Sequence, residues 1–77
     1  MNKQRRKYLA EAVSKLEEAM SIAEDIRGEE EDAFYNLPES LQGSERGRQM
    51  EENTENMDEA ISNIDDAIAT LQEIIDG

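Results

Sequence analysis

An apolar repeat over residues 50 to 75 constrains the fold of this chain more than any other feature. Its positions follow one another at alternating spacings of four and three residues, and all but one are apolar: Met50, Thr54, Met57, Ile61, Ile64, Ile68, Leu71 and Ile75. Such a spacing places the side chains along one side of an α-helix. The repeat therefore predicts a helix over about 45–76 that is covered by other helices along this seam.

A second repeat near the N-terminus has the same spacing and the same length. Its positions are Leu9, Val13, Leu16, Met20, Ala23, Arg27, Glu30 and Phe34. We expect a helix over about 3–35, because Pro38 disfavours the helical conformation at Leu37. Residues 38–43 begin with Pro and end with Gly, as a single helical turn would, and Ser44 is placed to cap the second helix.

Two helices of equal length joined by a short helical turn predict an all-α, antiparallel hairpin that forms one domain over residues 1–77. Its apolar layers would run from Leu9 with Ile75 to Ala23 with Ile61. Further apolar residues lie beside the seam: Ala19, Ile22, Ile26, Ala60, Ala67 and Ile74. Because a chain this short buries little apolar surface alone, we expect a homo-oligomer, in the simplest case a dimer forming a four-helix bundle.

The seam turns polar close to the connector, at Arg27, Glu30, Asn53 and Thr54. One explanation is that the first helix drifts, so that its other apolar residues replace the charged ones, which then face solvent: Ile22, Ile26 and Ala33. Another is a binding pocket, because guanidinium groups and a helix N-terminus both favour phosphate or carboxylate ligands. A third is an oligomer interface. The candidate ligand- or partner-binding residues are Arg27, Glu30, Tyr35, Arg46, Arg48 and Asn53.

The formal charge of −12 is unevenly distributed along the chain. Four of the eight basic residues lie in the first eight positions, and none follows Arg48. Most of the surface should repel nucleic acid and anionic membranes and attract a basic protein surface. Seven acids of the second helix form a candidate acidic face: Glu51, Glu52, Glu55, Asp58, Glu59, Asp65 and Asp66. The alternative is that these acids only solvate an exposed helix.

Three smaller features each allow more than one interpretation. The basic residues Lys3, Arg5, Arg6 and Lys7 either neutralise the acidic end of the second helix, at Asp65, Asp66, Glu73 and Asp76, or form a weak nucleic-acid-binding arm. Gly47 either marks the end of the connector or leaves the backbone open to a partner. Gly28 marks either a kink or a close helix crossing.

The absence of Cys and His removes thiol nucleophiles, imidazole bases and most zinc sites. No phosphate-binding loop or metal-ligand motif occurs either. We therefore expect no enzymatic activity, no metal and no cofactor. No segment has the apolar length of a membrane span and the basic start lacks a signal-peptide core, so we expect a soluble, cytoplasmic protein without a processed leader.

Residues 35–47, with the sequence YNLPESLQGSERG, lead into Met50 and the acidic, isoleucine-rich helix. This stretch resembles small helical-hairpin proteins of unknown function from phages and prophages of gut bacteria, and the likeness covers about half of the chain. It implies a bacterial host cell and a function by binding, since many studied phage proteins of this kind block host defence. The resulting hypothesis is a non-enzymatic phage accessory protein that inhibits a bacterial defence system by binding one of its components.

Two mechanisms fit that hypothesis. The acidic face would mimic nucleic acid and occupy a basic groove, or the polar end near the connector would sequester an anionic nucleotide signal. The alternative is a structural or oligomerisation adaptor that joins another helical protein through exposed apolar residues.

Overall fold

The computed structural model describes all 77 residues, and it contains helices and no strands. The elements are α1 (Lys3–Tyr35), α2 (Glu39–Gln42) and α3 (Glu45–Asp76). The two long helices pack against each other as a hairpin with Cα extents of 58 × 14 × 13 Å. They are antiparallel, because the start of α1 contacts the end of α3. The predicted helix bounds and the helical-turn connector are confirmed.

Both long helices begin at a side-chain cap. The Asn2 side chain accepts a hydrogen bond from the Arg5 amide at 2.8 Å. The Ser44 hydroxyl accepts one from the Gly47 amide at 3.3 Å, as the sequence predicted. Each cap satisfies one of the backbone N–H groups that have no partner within the first turn of a helix.

The seam follows the predicted spacing along its entire length. Every position of both repeats is buried or partly buried, and Val13 is the most deeply buried at 6% exposure. Only Val13 and Gly47 are fully buried in the chain. The core is therefore a single layer of side chains between two helices, and each helix has its outer sides in solvent.

The drift of the first helix does not occur, and that interpretation is wrong. Ile22 and Ile26, which would have entered the seam, are 59% and 49% exposed, and only Ala33 is partly buried. Arg27 and Glu30 instead stay partly buried at seam positions. They remain there because polar partners on α3 accept or donate hydrogen bonds across the seam, so that the charges need not turn outward.

Gly47 is buried because the connector packs directly against it. A Cβ at this position would lie 2.1 Å from the Gln42 carbonyl oxygen and 2.9 Å from the Leu41 carbonyl oxygen. The space beside Gly47 is thus filled by the chain's own α2, and the interpretation that a partner approaches this backbone is wrong. A Cβ added at Gly28 would have no atom within 4 Å, so a close helix crossing there is wrong as well.

The basic N-terminus meets the end of α3, but through different atoms from those predicted. The Arg6 guanidinium donates hydrogen bonds to the carbonyl oxygens of Ile74, at 3.3 Å, and Ile75. These are orphan acceptors of the last helical turn, where a cation also suits the helix dipole. The predicted ion pairs with Asp65, Asp66, Glu73 and Asp76 do not form. Backbone carbonyls take the place of the carboxylates.

Candidate functional site

Arg27 is the centre of the polar region, and it is held by two carboxylates. Its Nε donates to Asp58 Oδ1 at 2.8 Å and its Nη2 donates to Asp58 Oδ2 at 3.4 Å. Its Nη1 bonds Glu31, one helical turn away on α1. The hydrogen bond to Asp58, followed by the charges of Asp58 and Glu31, raises the pKa of Arg27 above its usual value. All three guanidinium nitrogens therefore bond Asp58 or Glu31. The two carboxylates together carry more negative charge than the single positive charge of Arg27.

Glu30 and Asn53 form a second polar contact across the seam. Asn53 Nδ2 donates to Glu30 Oε2 at 2.8 Å, and Asn53 Oδ1 accepts from Gln49 Nε2 at 3.0 Å. Thr54 donates to the Met50 carbonyl oxygen in its own helix at 3.0 Å. No buried side-chain nitrogen or oxygen is left without a partner. These layers are satisfied by the chain itself and need no ligand to complete them.

Two shallow grooves flank the polar layers on opposite sides of the seam. Ile26, Glu30, Asn53 and Ala60 line one of them. Arg27, Tyr35 and Phe34 line the other, together with four acids: Glu31, Glu51, Glu55 and Asp58. The Tyr35 ring is exposed and stands edge-on to Phe34, with ring centroids 5.3 Å apart. Because four carboxylates surround one paired guanidinium, this second groove disfavours anions.

The other two arginines of the predicted pocket lie elsewhere. Arg46 lines a separate groove at the start of α3 with Ser44 and Gln49. Arg48 is exposed and lines no groove. Positions two residues apart on a helix point about 200° apart, so these two guanidinium groups diverge. The candidate residues are therefore brought together in pairs, Arg27 with Tyr35 and Glu30 with Asn53, and do not form a three-arginine pocket.

The acidic face lies along the solvent side of α3, and all seven of its residues are exposed. Only Asp58 among them contacts a cation within 4 Å. Nine acids occur between Glu51 and Asp76, which span about 39 Å of helix at 1.5 Å per residue. The average is thus one negative charge about every 4 Å, compared with one every ~3.4 Å along a single DNA strand. The acids are unevenly spaced, with none between Glu59 and Asp65 or between Asp66 and Glu73, and only Asp58 is paired with a cation.

The pairing of Arg27 with Asp58 was missed by the sequence reasoning, which placed Asp58 only on the acidic face. A signal for it existed. Continued by one step beyond Ala23 and Ile61, the predicted layers set Arg27 opposite Met57, so that Asp58 is the nearest acid on α3. Glu31 follows Arg27 by four residues, which is a usual spacing for an ion pair within a helix.

No protein-family model, curated protein or solved structure matches this chain. The relation to phage proteins therefore stays a prediction that depends on the sequence of the connector. No group of three or more acidic side chains is arranged to hold a metal ion. None of the helices combines the length and the apolar character that a bilayer crossing requires.

Proposed function

We propose that this protein is a non-enzymatic binding protein whose acidic face occupies the nucleic-acid-binding groove of another protein. The observation that carries the proposal is the exposed, largely unpaired set of carboxylates on α3, whose average density is close to that of the charges along a nucleic-acid strand. The resemblance of the connector to phage proteins supplies the setting. In that setting the partner is a nucleic-acid-binding component of a bacterial defence system, and the protein inhibits it in the host cytoplasm.

The fold suits this role because it holds the carboxylates on a helix before binding. Side chains on a rigid scaffold lose less conformational freedom on binding than those of a flexible acidic tail. Their charges also raise the rate of encounter with a basic groove. Neither effect needs a pocket, and the shallow grooves of this molecule are consistent with binding by a convex surface.

We further propose that the working form is a homodimer built as a four-helix bundle. Six apolar residues beside the seam are all exposed in the single chain: Ala19, Ile22, Ile26, Ala60, Ala67 and Ile74. We call this set the apolar face. The same face favours the second candidate function, a structural adaptor that joins another helical protein. Sequestration of an anionic nucleotide has less support, because Arg27 is paired with two acids and Arg46 and Arg48 diverge.

The mimicry is tested by displacement of a fluorescein-labelled DNA duplex from purified DNA-binding defence effectors, measured by fluorescence anisotropy. The wild-type protein should displace the duplex from at least one effector, and the displacement should weaken steeply as the salt concentration rises and charges are screened. Failure to displace the duplex from any effector at low salt, or displacement that is independent of salt, would contradict mimicry.

Two variants with equal charge changes test whether displacement of the duplex depends on the acidic face of α3. The α3 variant neutralises four acids that have no cation partner: Glu51→Gln, Glu52→Gln, Glu55→Gln and Glu59→Gln. The α1 variant neutralises four exposed acids on the other helix: Glu17→Gln, Glu18→Gln, Glu24→Gln and Asp25→Asn. Displacement should fall at least tenfold in the α3 variant and less than threefold in the α1 variant. Equal losses in both would indicate that net charge alone, and no particular face, governs binding.

A further inference from the structure

The hairpin has two unlike sides. The groove lined by Ile26 and Ala60 lies on one side of the seam, and the groove lined by Arg27 and Asp58 lies on the other. Ala19 and Ile22 precede Ile26 by seven and four residues, and Ala67 and Ile74 follow Ala60 by seven and fourteen. At these helical spacings all six residues of the apolar face lie on the Ile26 side. The chain therefore presents its uncovered apolar residues in one direction.

The exposed area of the chain indicates how much a partner would cover. A compact protein of 8.8 kDa is expected to expose roughly 4,800 Å² of surface. This chain exposes 5767 Å², about 1,000 Å² more than that expectation. A standard protein interface removes about 800 Å² from each partner. Burial of that area would bring the exposed surface of each chain close to the compact expectation.

The charges at the two ends of the hairpin decide how a second copy would lie. Three basic side chains near the N-terminus, Lys3, Arg5 and Lys7, have no acid within 4 Å. At the other end α1 carries the acidic run 29–32, of which only Glu31 contacts a cation. Between the ends, the Glu11 and Lys15 side chains lie 3.9 Å apart and neutralise each other.

We propose that the apolar face binds a second copy of this chain in antiparallel orientation, so that the connectors lie at opposite ends of the four-helix bundle. Along the axis of the hairpin, the apolar face extends from the level of Ile74 to the level of Ile26. Its midpoint lies near residue 18 of α1. Rotation by 180° about this centre places the acidic run 29–32 of one protomer level with residues 4–7 of its partner, of which Arg5, Arg6 and Lys7 are basic. A parallel dimer would place two acidic runs side by side, where like charges repel.

The side chains that meet across the interface differ between the two orientations. The two bulky exposed residues of α1, Ile22 and Ile26, lie on the connector side of the centre, and the small residues Ala19 and Ala67 lie near it. In the antiparallel dimer Ile26 of each protomer lies level with Ile74 of its partner, Ile22 lies level with Ser14, and Ala19 lies level with Ala67. In the parallel dimer each isoleucine would face its own copy. The antiparallel dimer also leaves both acidic faces exposed on the outside.

This proposal rests on the dimeric form proposed above and adds its orientation and its interface. The test uses the full chain with Ser40→Cys, which introduces the only cysteine, labelled with a nitroxide and measured by double electron–electron resonance. Ser40 is exposed in the connector. The antiparallel dimer predicts a distance of roughly 55 Å, because about eighteen helical residues separate the centre from the connector on each side. A distance near 20 Å would overturn the orientation.

Light scattering at 100 μM supplies the mass of the same sample. The proposal predicts twice the 8.8 kDa of one chain, and a monomer or a mass above the dimer would overturn it. The variant Ile22→Lys/Ile26→Lys should weaken the dimer at least 100-fold. The matched charge change Glu17→Gln/Glu24→Gln should alter dimerisation less than threefold. Ile22→Ala/Ile26→Ala, with helicity checked by circular dichroism, should weaken it at least tenfold, and no weakening in this milder variant would overturn the interface.

The two proposals fail separately. Displacement of a DNA duplex by a protein that stays monomeric would leave the mimicry intact and overturn the dimer. An antiparallel dimer that displaces no duplex would overturn the mimicry and leave the dimer intact.

Discussion

The contact between the connector and α3 leads to a specific prediction about stability. The same substitution, glycine to alanine, should have opposite effects on the free energy of unfolding at two helical positions. Gly28→Ala adds a methyl group where no atom lies within 4 Å. Alanine is favoured over glycine inside a helix by about 1 kcal/mol, so this variant should be more stable than the wild type by about that amount.

Gly47→Ala gains the same preference but places its Cβ 2.1 Å from the Gln42 carbonyl oxygen. To reach 3.4 Å, the lower limit of ordinary contact, the two backbone segments must separate by about 1.3 Å. Overpacking of this kind costs roughly 1–3 kcal/mol. The upper part of that range applies here, because the opposing atoms belong to backbone and cannot rotate away. The net effect should be a loss of about 1–2 kcal/mol.

The assay is urea denaturation followed by circular dichroism at 222 nm, with all proteins at one concentration because a dimer's stability depends on it. A difference of about 2–3 kcal/mol between the variants corresponds to a midpoint difference of about 2–3 M urea, at roughly 1 kcal/mol per M for a chain of this size. Equal midpoints, or a Gly47→Ala variant more stable than Gly28→Ala, would refute the close packing of α2 on α3.

Three further predictions concern the caps, the core and the polar layer. Asn2→Ala and Ser44→Ala should each lower the free energy of unfolding by about 1 kcal/mol in the same assay, while Ser44→Gly lowers it by only a few tenths; equal losses for the two Ser44 variants would argue against the cap. Val13→Ala removes two buried carbon atoms and should cost about 1.6 kcal/mol at ~0.8 kcal/mol each, so an unchanged midpoint would place Val13 outside the core. Arg27→Gln should lower the urea midpoint at low salt and lower it less at about 1 M NaCl, where the Debye length is about 3 Å; a loss that does not depend on salt would exclude the ion pairs as its cause.

The sequence predicts most of this fold because its signals are local. The 4-3 spacing depends only on helical geometry, and it located the apolar seam positions, while it left open whether Arg27 and Glu30 lie in the seam. Pro38 and Ser44 act on their immediate neighbours, so the bounds of both helices followed from them. The exposure of the apolar face also followed from the sequence, because each helix of a two-helix hairpin can bury only the side that faces the other helix.

The remaining features depend on distances between parts of the chain that the spacing does not determine. The choice between drift and a charged seam depended on whether Arg27 and Glu30 would find partners on α3, which requires the axial offset of the two helices. The packing of α2 against Gly47 is a tertiary contact between backbone segments. The divergence of Arg46 and Arg48, by contrast, follows from the helical period alone and was accessible from the sequence.

The central claim, that the acidic face inhibits a nucleic-acid-binding defence protein, is tested most directly in cells. A phage sensitive to a DNA-binding defence system is plated on bacteria that carry the system and express the wild-type protein, the α3 variant or the α1 variant at equal levels. The account predicts that the wild type and the α1 variant raise the plating efficiency at least tenfold and that the α3 variant does not. No rise with the wild type on any such system, or an equal rise with the α3 variant, would contradict it.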